Sequence, residues 1–281
     1  MKKFFVLILL FNIKYICYSQ IEINPFLSTC SVLVEAKGFG SGSGIYLQDS
    51  NNIYFVTAAH VLYNLEKNKP HCDSIFLITY RENSEIDRGD TLFLNLCDAM
   101  KNGYALFDRR NDILVVKIAS QKNLDSTLSQ VNYLPHAVRL IKATRISAFP
   151  SNQLKKMEKV ILGNDILIFG YPKSLKLQYN SFDFNRPLLR KGVVAARDFN
   201  SKRIILDCPV YKGNSGGPVY MIDVFDTNNS LSLIGIVSEF MPFVEYWVND
   251  KYGVANTQIT NSGYSIIIPI DFALNLIPFL K

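Results

Sequence analysis

The chain has 281 residues, 48% of them hydrophobic and 19% charged, with a formal net charge of +6. That length and apolar content support a sizeable buried core and exclude a globally disordered chain. No internal repeat or low-complexity tract is present, and so modest a positive charge gives no reason to expect a nucleic-acid partner.

The first predicted element is a leader. Lys2 and Lys3 precede the unbroken apolar run Phe4–Phe11, which Asn12 and Lys14 bring to an end. A membrane-spanning helix needs ~20 apolar residues, so a retained anchor is disfavoured. Cys17, Tyr18 and Ser19 stand at the positions a signal peptidase reads, so residues 1–19 are expected to be a signal peptide and the mature chain to begin at Gln20. This places the protein outside the cell or in a periplasm, with no stable membrane insertion once the leader is removed. Loss of Lys2, Lys3 and Lys14 lowers the formal charge to +3, because no acidic residue leaves with them. Cys30, Cys72, Cys97 and Cys208 remain. In an exported chain they could form two disulfides in any of three pairings. None has metal-ligand spacing, so neither a metal nor a cofactor is expected.

Beyond the leader the chain reads as short strands separated by turns. Ser31–Val34 alternates β-branched residues. The glycine-rich stretch Gly38–Gly44 reads as a turn before a strand at Ile45–Leu47, and Asp49–Asn52 as a turn before Ile53–Thr57. Ala58–Leu65 has helical character. Further strands are expected at Ser74–Tyr80, Thr91–Leu96 and Asp112–Ile118. The polar segment Ser120–Asn132 reads as a linker, and the lysines Lys155, Lys156 and Lys159 as a solvated face. Strands resume at Val138–Lys142, Asp165–Phe169, Leu188–Arg197, Arg203–Cys208, Pro218–Ile222, Leu231–Ser238 and Tyr264–Ile268. Asp271–Phe279 is apolar at helical spacing. The pattern predicts an all-β fold, a β-barrel or sandwich, and two strand clusters divided near residue 125 suggest two barrels of similar size, at about 28–125 and about 133–270, with a closing C-terminal helix.

Three segments carry chemistry. Ser215 lies in Gly213-Asn-Ser-Gly-Gly-Pro218, where glycines let backbone approach a substrate closely. A serine hydroxyl needs a neighbouring base to act as a nucleophile. The N–H groups of Gly213 and Ser215 could then converge as an oxyanion hole. His60 ends Phe55-Val-Thr-Ala-Ala-His60, where the small Ala58 and Ala59 let the turn pack closely. Asp112 opens the apolar strand Asp112–Lys117 and could hold His60 in one tautomer. Asp98 and Asp108 lead into no such strand. The serine segment also fits the nucleophile elbow of α/β-hydrolases, but His60, His71 and His136 all precede Ser215, which leaves an elbow without a base. The subtilisin order would need Asp49, which sits in a turn. Only the order histidine, aspartate, serine is supported, and His71 and His136 read as surface residues.

Val56–His60, Asp112–Val116 and Gly213–Pro218 together resemble the three signature segments of trypsin-like serine proteases. They follow in the family's order, 52 and 103 residues apart, and the resemblance spans roughly residues 28–270. It implies two six-stranded antiparallel β-barrels with the site between them, and a serine endopeptidase acting on a protein or peptide substrate. Gly235–Ser238 resembles the family's substrate-pairing strand. Asn214 stands where digestive members carry the aspartate that pairs with a liberated N-terminus, which implies activity without such a cleavage. Its amide could hold the loop by hydrogen bonds. Pro209 stands where trypsin-like specificity would place an aspartate. With the apolar run Ile234–Val237, it implies a pocket for uncharged side chains, which the acidic Glu239 could overturn. The alternative is a non-catalytic relative that binds peptides in the same cleft.

Overall fold

The computed structural model describes residues 23–36, 38–80, 89–121, 131–141, 146–172, 186–223 and 231–281. The predicted leader and most of the predicted linker lie outside the described residues. The first half begins with helix α1 (Phe26–Cys30) and strands β1 (Ser31–Ala36), β2 (Gly40–Asp49) and β3 (Asn52–Ala58). The short helix α2 (Ala59–Leu62) follows, then the small pair β4 (Tyr63–Asn64) and β5 (Lys69–Pro70). Next come β6 (Ser74–Thr79), β7 (Asp90–Asn95), helix α3 (Leu96–Lys101), β8 (Ala105–Asp108) and β9 (Ile113–Gln121). The last strands of this half are β10 (Val131–Tyr133), β11 (Ala137–Ile141) and β12 (Phe149–Pro150). The second half holds β13 (Asp165–Gly170), β14 (Leu188–Asp198), β15 (Arg203–Asp207), β16 (Pro218–Ile222), β17 (Leu231–Asn249), β18 (Val254–Pro269) and helix α4 (Asp271–Leu276).

The protein is mostly strand, in two curled sheets of the chymotrypsin-like two-barrel kind with a short C-terminal helix. The second sheet closes as a six-stranded antiparallel barrel, β13-β14-β15-β18-β17-β16. The first is a ten-stranded sheet: β1, β2, β3, β6, β7 and β9 are its long members, and β8, β10, β11 and β12 are short additions. It continues through β12 to Pro150, past the expected division near residue 125.

Several strands are apolar on both faces because each face meets a different core. Along β2 and β3, Tyr46, Ile53 and Phe55 fill the first half, while Ile45, Leu47, Tyr54 and Val56 point to the other side. There they meet Leu167, Phe169, Tyr220 and Ile222 of β13 and β16. The alternate residues of those two strands, Ile166, Ile168, Val219 and Met221, fill the second barrel. A side-chain period of two thus builds two barrel cores and one shared core between them. The shared core fixes how the halves meet, and with it the cleft at their junction.

Several local expectations change. The stretch Gly40–Gly44 is strand, paired with Val32–Ala36, because its residues can lie flat against β1 even without large side chains. β17 and β18 run far beyond the expected Ser238 and Tyr264, as a two-stranded ribbon reaching Asn249 and Val254. The cysteines Cys30, Cys72, Cys97 and Cys208 are free thiols. Cys30 is buried in the shared core and Cys208 in the second barrel, so each is enclosed by its own apolar neighbours. His136 is not at the surface: it is 2% exposed, its Nε2 lies 2.8 Å from the Lys117 carbonyl, and its ring stacks on Tyr104. Of the three lysines read as a solvated face, Lys155 instead forms a partly buried ion pair with Asp223.

Candidate active site

β3 ends at Ala58, and the fully buried Ala58 and Ala59 let the chain turn against β9 into α2. Ala59 N–H donates to the Asp112 carbonyl at 2.9 Å, which sets His60 beside the start of β9. Asp112 holds His60 twice. Its Oδ1 accepts from the His60 backbone N–H at 2.9 Å, and its Oδ2 lies 2.8 Å from His60 Nδ1. Ser238 Oγ donates to the same Oδ2 at 3.0 Å. Asp112 takes φ 58, in the left-handed region that aspartate tolerates better than most residues. In the tautomer whose Nδ1–H donates to Asp112, Nε2 carries a free lone pair, and His60 lines the cleft.

Burial is the largest influence on both groups and disfavours their charged forms. For His60 it is outweighed by the Asp112 hydrogen bond and charge, with help from Glu239, so the imidazole pKa stands above its ordinary 6.5. For Asp112, the His60 hydrogen bond and charge, the His60 backbone N–H and the Ser238 hydroxyl hold the carboxyl below its ordinary range.

Ser215 enters from the second half. It shares with His60, Asp112, Ser238 and Glu239 a cavity of about 390 Å³, to which Lys212 and Phe240 also contribute walls. No hydrogen bond joins Ser215 to His60 among the described residues. The loop around Ser215 is shaped by glycine on both sides. Gly213 has φ 102 and Gly216 φ 84, and a Cβ on Gly216 would fall 2.1 Å from the Ser43 carbonyl oxygen. The N–H groups of Asn214, Gly216 and Gly217 donate to the carbonyls of Tyr211, Val237 and Asn214. Those of Gly213 and Ser215 donate to nothing among the described residues.

The residue that holds this loop is one the sequence did not reveal. Ser43 of β2 is fully buried, and its Oγ donates to the Gly213 carbonyl at 2.6 Å while accepting from Tyr171 N–H at 2.9 Å. Its own N–H donates to the Ser215 carbonyl at 2.8 Å, and its carbonyl accepts from Thr57 Oγ1 at 2.7 Å. The only hint was its place among glycines. Asn214 does not supply the expected side-chain anchor: its Oδ1 is buried without a partner among the described residues. Pro209 is half-buried and does not line the cavity, although its neighbour Val210 does. Ile234–Val237 are buried in the cores or paired in the sheet, not on the cavity wall. His71 packs behind the site, with Nε2 3.2 Å from the His60 carbonyl. Among the described residues no cluster of side chains could hold a metal ion, and no helix is long and apolar enough to cross a membrane.

The two curled sheets are those of a trypsin-like peptidase domain. The chain belongs to the trypsin-like peptidase domain family, whose model matches residues 42–223. That span includes His60, Asp112 and Ser215. No curated protein matches the chain. Among solved structures, the serine endoprotease from Yersinia pestis is 17% identical with a TM-score of 0.50, covering 92% of this chain and 67% of its own. The HtrA-type protease AlgW is 17% identical with a TM-score of 0.48, covering 89% of this chain and 60% of its own. Deg5 is 16% identical with a TM-score of 0.47, covering 88% of this chain and 87% of its own.

Proposed function

We propose that the protein is an exported serine endopeptidase that cleaves peptide bonds through an acyl-enzyme. Ser215 Oγ attacks the scissile carbonyl as its proton passes to His60 Nε2. Asp112 keeps His60 in the tautomer that can accept this proton and stabilises the imidazolium that results. The oxyanion is received by the N–H groups of Gly213 and Ser215. His60 then gives its proton to the leaving amine, and water attacks the acyl-enzyme by the reverse sequence, restoring Ser215. The observation that carries this reading is a doubly held His60 sharing one cavity with Ser215, whose own N–H, like that of Gly213 two residues before it, donates to nothing among the described residues. The absent Ser215–His60 hydrogen bond fits a site that tightens when substrate excludes water.

The experiment is labelling of purified protein with a fluorophosphonate probe, which phosphonylates only an activated serine. Adduct formation at Ser215, lost in Ser215→Ala, is the expected result. An unlabelled protein that still binds peptides in the cleft would make the chain a non-catalytic relative. Export rests on the leader at 1–19, and is checked by sequencing the N-terminus of protein recovered outside the cytoplasm, where Gln20 is expected.

A further inference from the structure

β17 has two edges, and they have different partners. On one edge β18 pairs with it continuously from Gly235 to Asn249, apart from two bulges. On the other, β16 pairs only with Leu231–Ile236, and the last contact is the exchange of Val237 with Gly216 and Gly217. From Ser238 to Asn249 that second edge carries no strand among the described residues. It starts inside the candidate site, because Ser238, Glu239 and Phe240 line the cavity beside Ser215. It then continues outward along the ribbon.

The ribbon is poorly suited to being left alone in water. Two strands without a third are marginal, and edge strands are normally blunted by charge or proline. Between Pro242 and Asn249 the blunting is limited to Pro242 itself and Glu245. The register Val244↔Ile259, Tyr246↔Thr257 and Val248↔Ala255 puts six uncharged residues on one face. Tyr246 is 78% exposed, Val248 68% and Ile259 65%, so nothing among the described residues covers the face.

We propose that this edge is an extended docking track for the polypeptide segment N-terminal to the scissile bond, which adds to β17 as an antiparallel third strand. The inference rests on the peptidase reading of the site. β17 runs outward from the cleft, so an antiparallel partner ending beside Ser215 has its upstream residues along the ribbon. The twelve residues from Ser238 to Asn249 span ~40 Å at a strand's rise, room for about ten upstream residues. Main-chain hydrogen bonds give affinity to any extended segment, and the uncharged face selects β-branched and aromatic side chains at alternate positions. The occupant is therefore an unfolded or loosely folded chain, and the preferred substrate is longer than the cavity.

The test uses two tryptophan-free peptides sharing one cleavage site. One has four residues upstream; the other has eight more of alternating Val and Thr. Wild-type enzyme should cleave the long peptide with a kcat/KM about tenfold or more above the short one, mostly through KM. Val248→Lys/Ile259→Lys should remove that advantage and leave short-peptide cleavage unchanged. Trp247 is the only tryptophan and is 59% exposed, so its emission reports on the ribbon without any chemistry. In Ser215→Ala protein the long peptide should shift that emission to the blue, and the short one should not. Equal cleavage of both peptides by wild type, or a length preference that survives the double substitution, overturns the track. A blue shift in a protein that cleaves nothing keeps the track and sinks the peptidase reading. Concentration-dependent dimerisation abolished by the double substitution would assign the face to a second copy, and overturns the inference.

Discussion

Ser43 Oγ donates a 2.6 Å hydrogen bond to the carbonyl of Gly213, joining residues 170 positions apart and from opposite halves of the molecule. Through it the first sheet sets the peptide that precedes Ser215. Ser43→Ala would leave the Gly213 carbonyl and the Tyr171 N–H unsatisfied in a buried place, at a stability cost of about 1–3 kcal/mol. It would also free the loop that presents the proposed oxyanion donors. The kcat should fall, by up to ~10²–10³ if one donor is lost outright. Melting curves and steady-state kinetics on one preparation check this, and unchanged kcat with unchanged stability would show that the loop is held by other means.

Ser215→Ala should leave the fold unchanged and lower the rate by ~10³–10⁶, with the oxyanion donors supplying what remains. Asp112→Asn should cost about 10⁴ in kcat, because the amide favours the wrong His60 tautomer. Near wild-type turnover in either purified variant contradicts the assigned role.

Activity should rise with pH as His60 loses its proton, with a midpoint above 6.5 because the folded protein holds the imidazole pKa up. Stability runs the other way. A raised His60 pKa stabilises the fold fully below the unfolded value, and that contribution fades as pH climbs through the folded value. The lowered Asp112 pKa stabilises above the unfolded carboxyl value and is lost as pH falls. The pair therefore helps the fold most between those limits, below the pH at which His60 is free to act as a base. Glu239→Gln should move the activity midpoint down, since its charge helps to hold the proton on His60. A pH–rate profile of both proteins decides it, and identical midpoints would remove Glu239 from the account.

Gly216→Ala should be far more damaging than Gly253→Ala, although both glycines have positive φ. Each pays ~1–2 kcal/mol for the left-handed backbone. Only at Gly216 does the new Cβ meet the Ser43 carbonyl at 2.1 Å and Thr57 Oγ1 at 2.2 Å, while Gly253 faces open space. Denaturant unfolding of the two variants gives the comparison, and similar losses would show that the loop can retreat from Ser43.

An N-terminal extension before Gln20 should change the rate little, because a neutral Asn214 cannot pair with a liberated amine and Ser43 already holds the loop. Tagged and untagged forms assayed side by side test this, and a tagged form activated only by tag removal refutes it.

The three signature segments were legible because each is short, local and chemically unusual. So were strands such as β6 and β7, where Ile75, Leu77, Leu92 and Leu94 alternate with more exposed residues. Ser43 was not legible, because its partners lie 128 and 170 residues away and a Gly-Ser stretch looks the same in a turn. Nor was the ribbon, whose Pro242, Asn249 and Gly253 carry the punctuation of a loop while the pairing that overrides it is between strands. His136 looked like a surface residue because nothing in its neighbours announces the Lys117 carbonyl that satisfies it.

β18 is the last strand of the closed barrel, lying between β15 and β17, and it comes after every residue assigned a part in the chemistry. During synthesis His60, Asp112, Ser215 and Ser238 all exist before the sheet that must carry the last two can close. A chain halted before Val254 would possess the complete set of proposed reacting groups but no closed second barrel to hold Ser215 and Ser238 against His60 and Asp112. Assembly order would thus keep the proposed site incomplete until the last strand is in place. Fragments ending at Asn249 should accordingly resist the fluorophosphonate probe that is expected to mark the full chain.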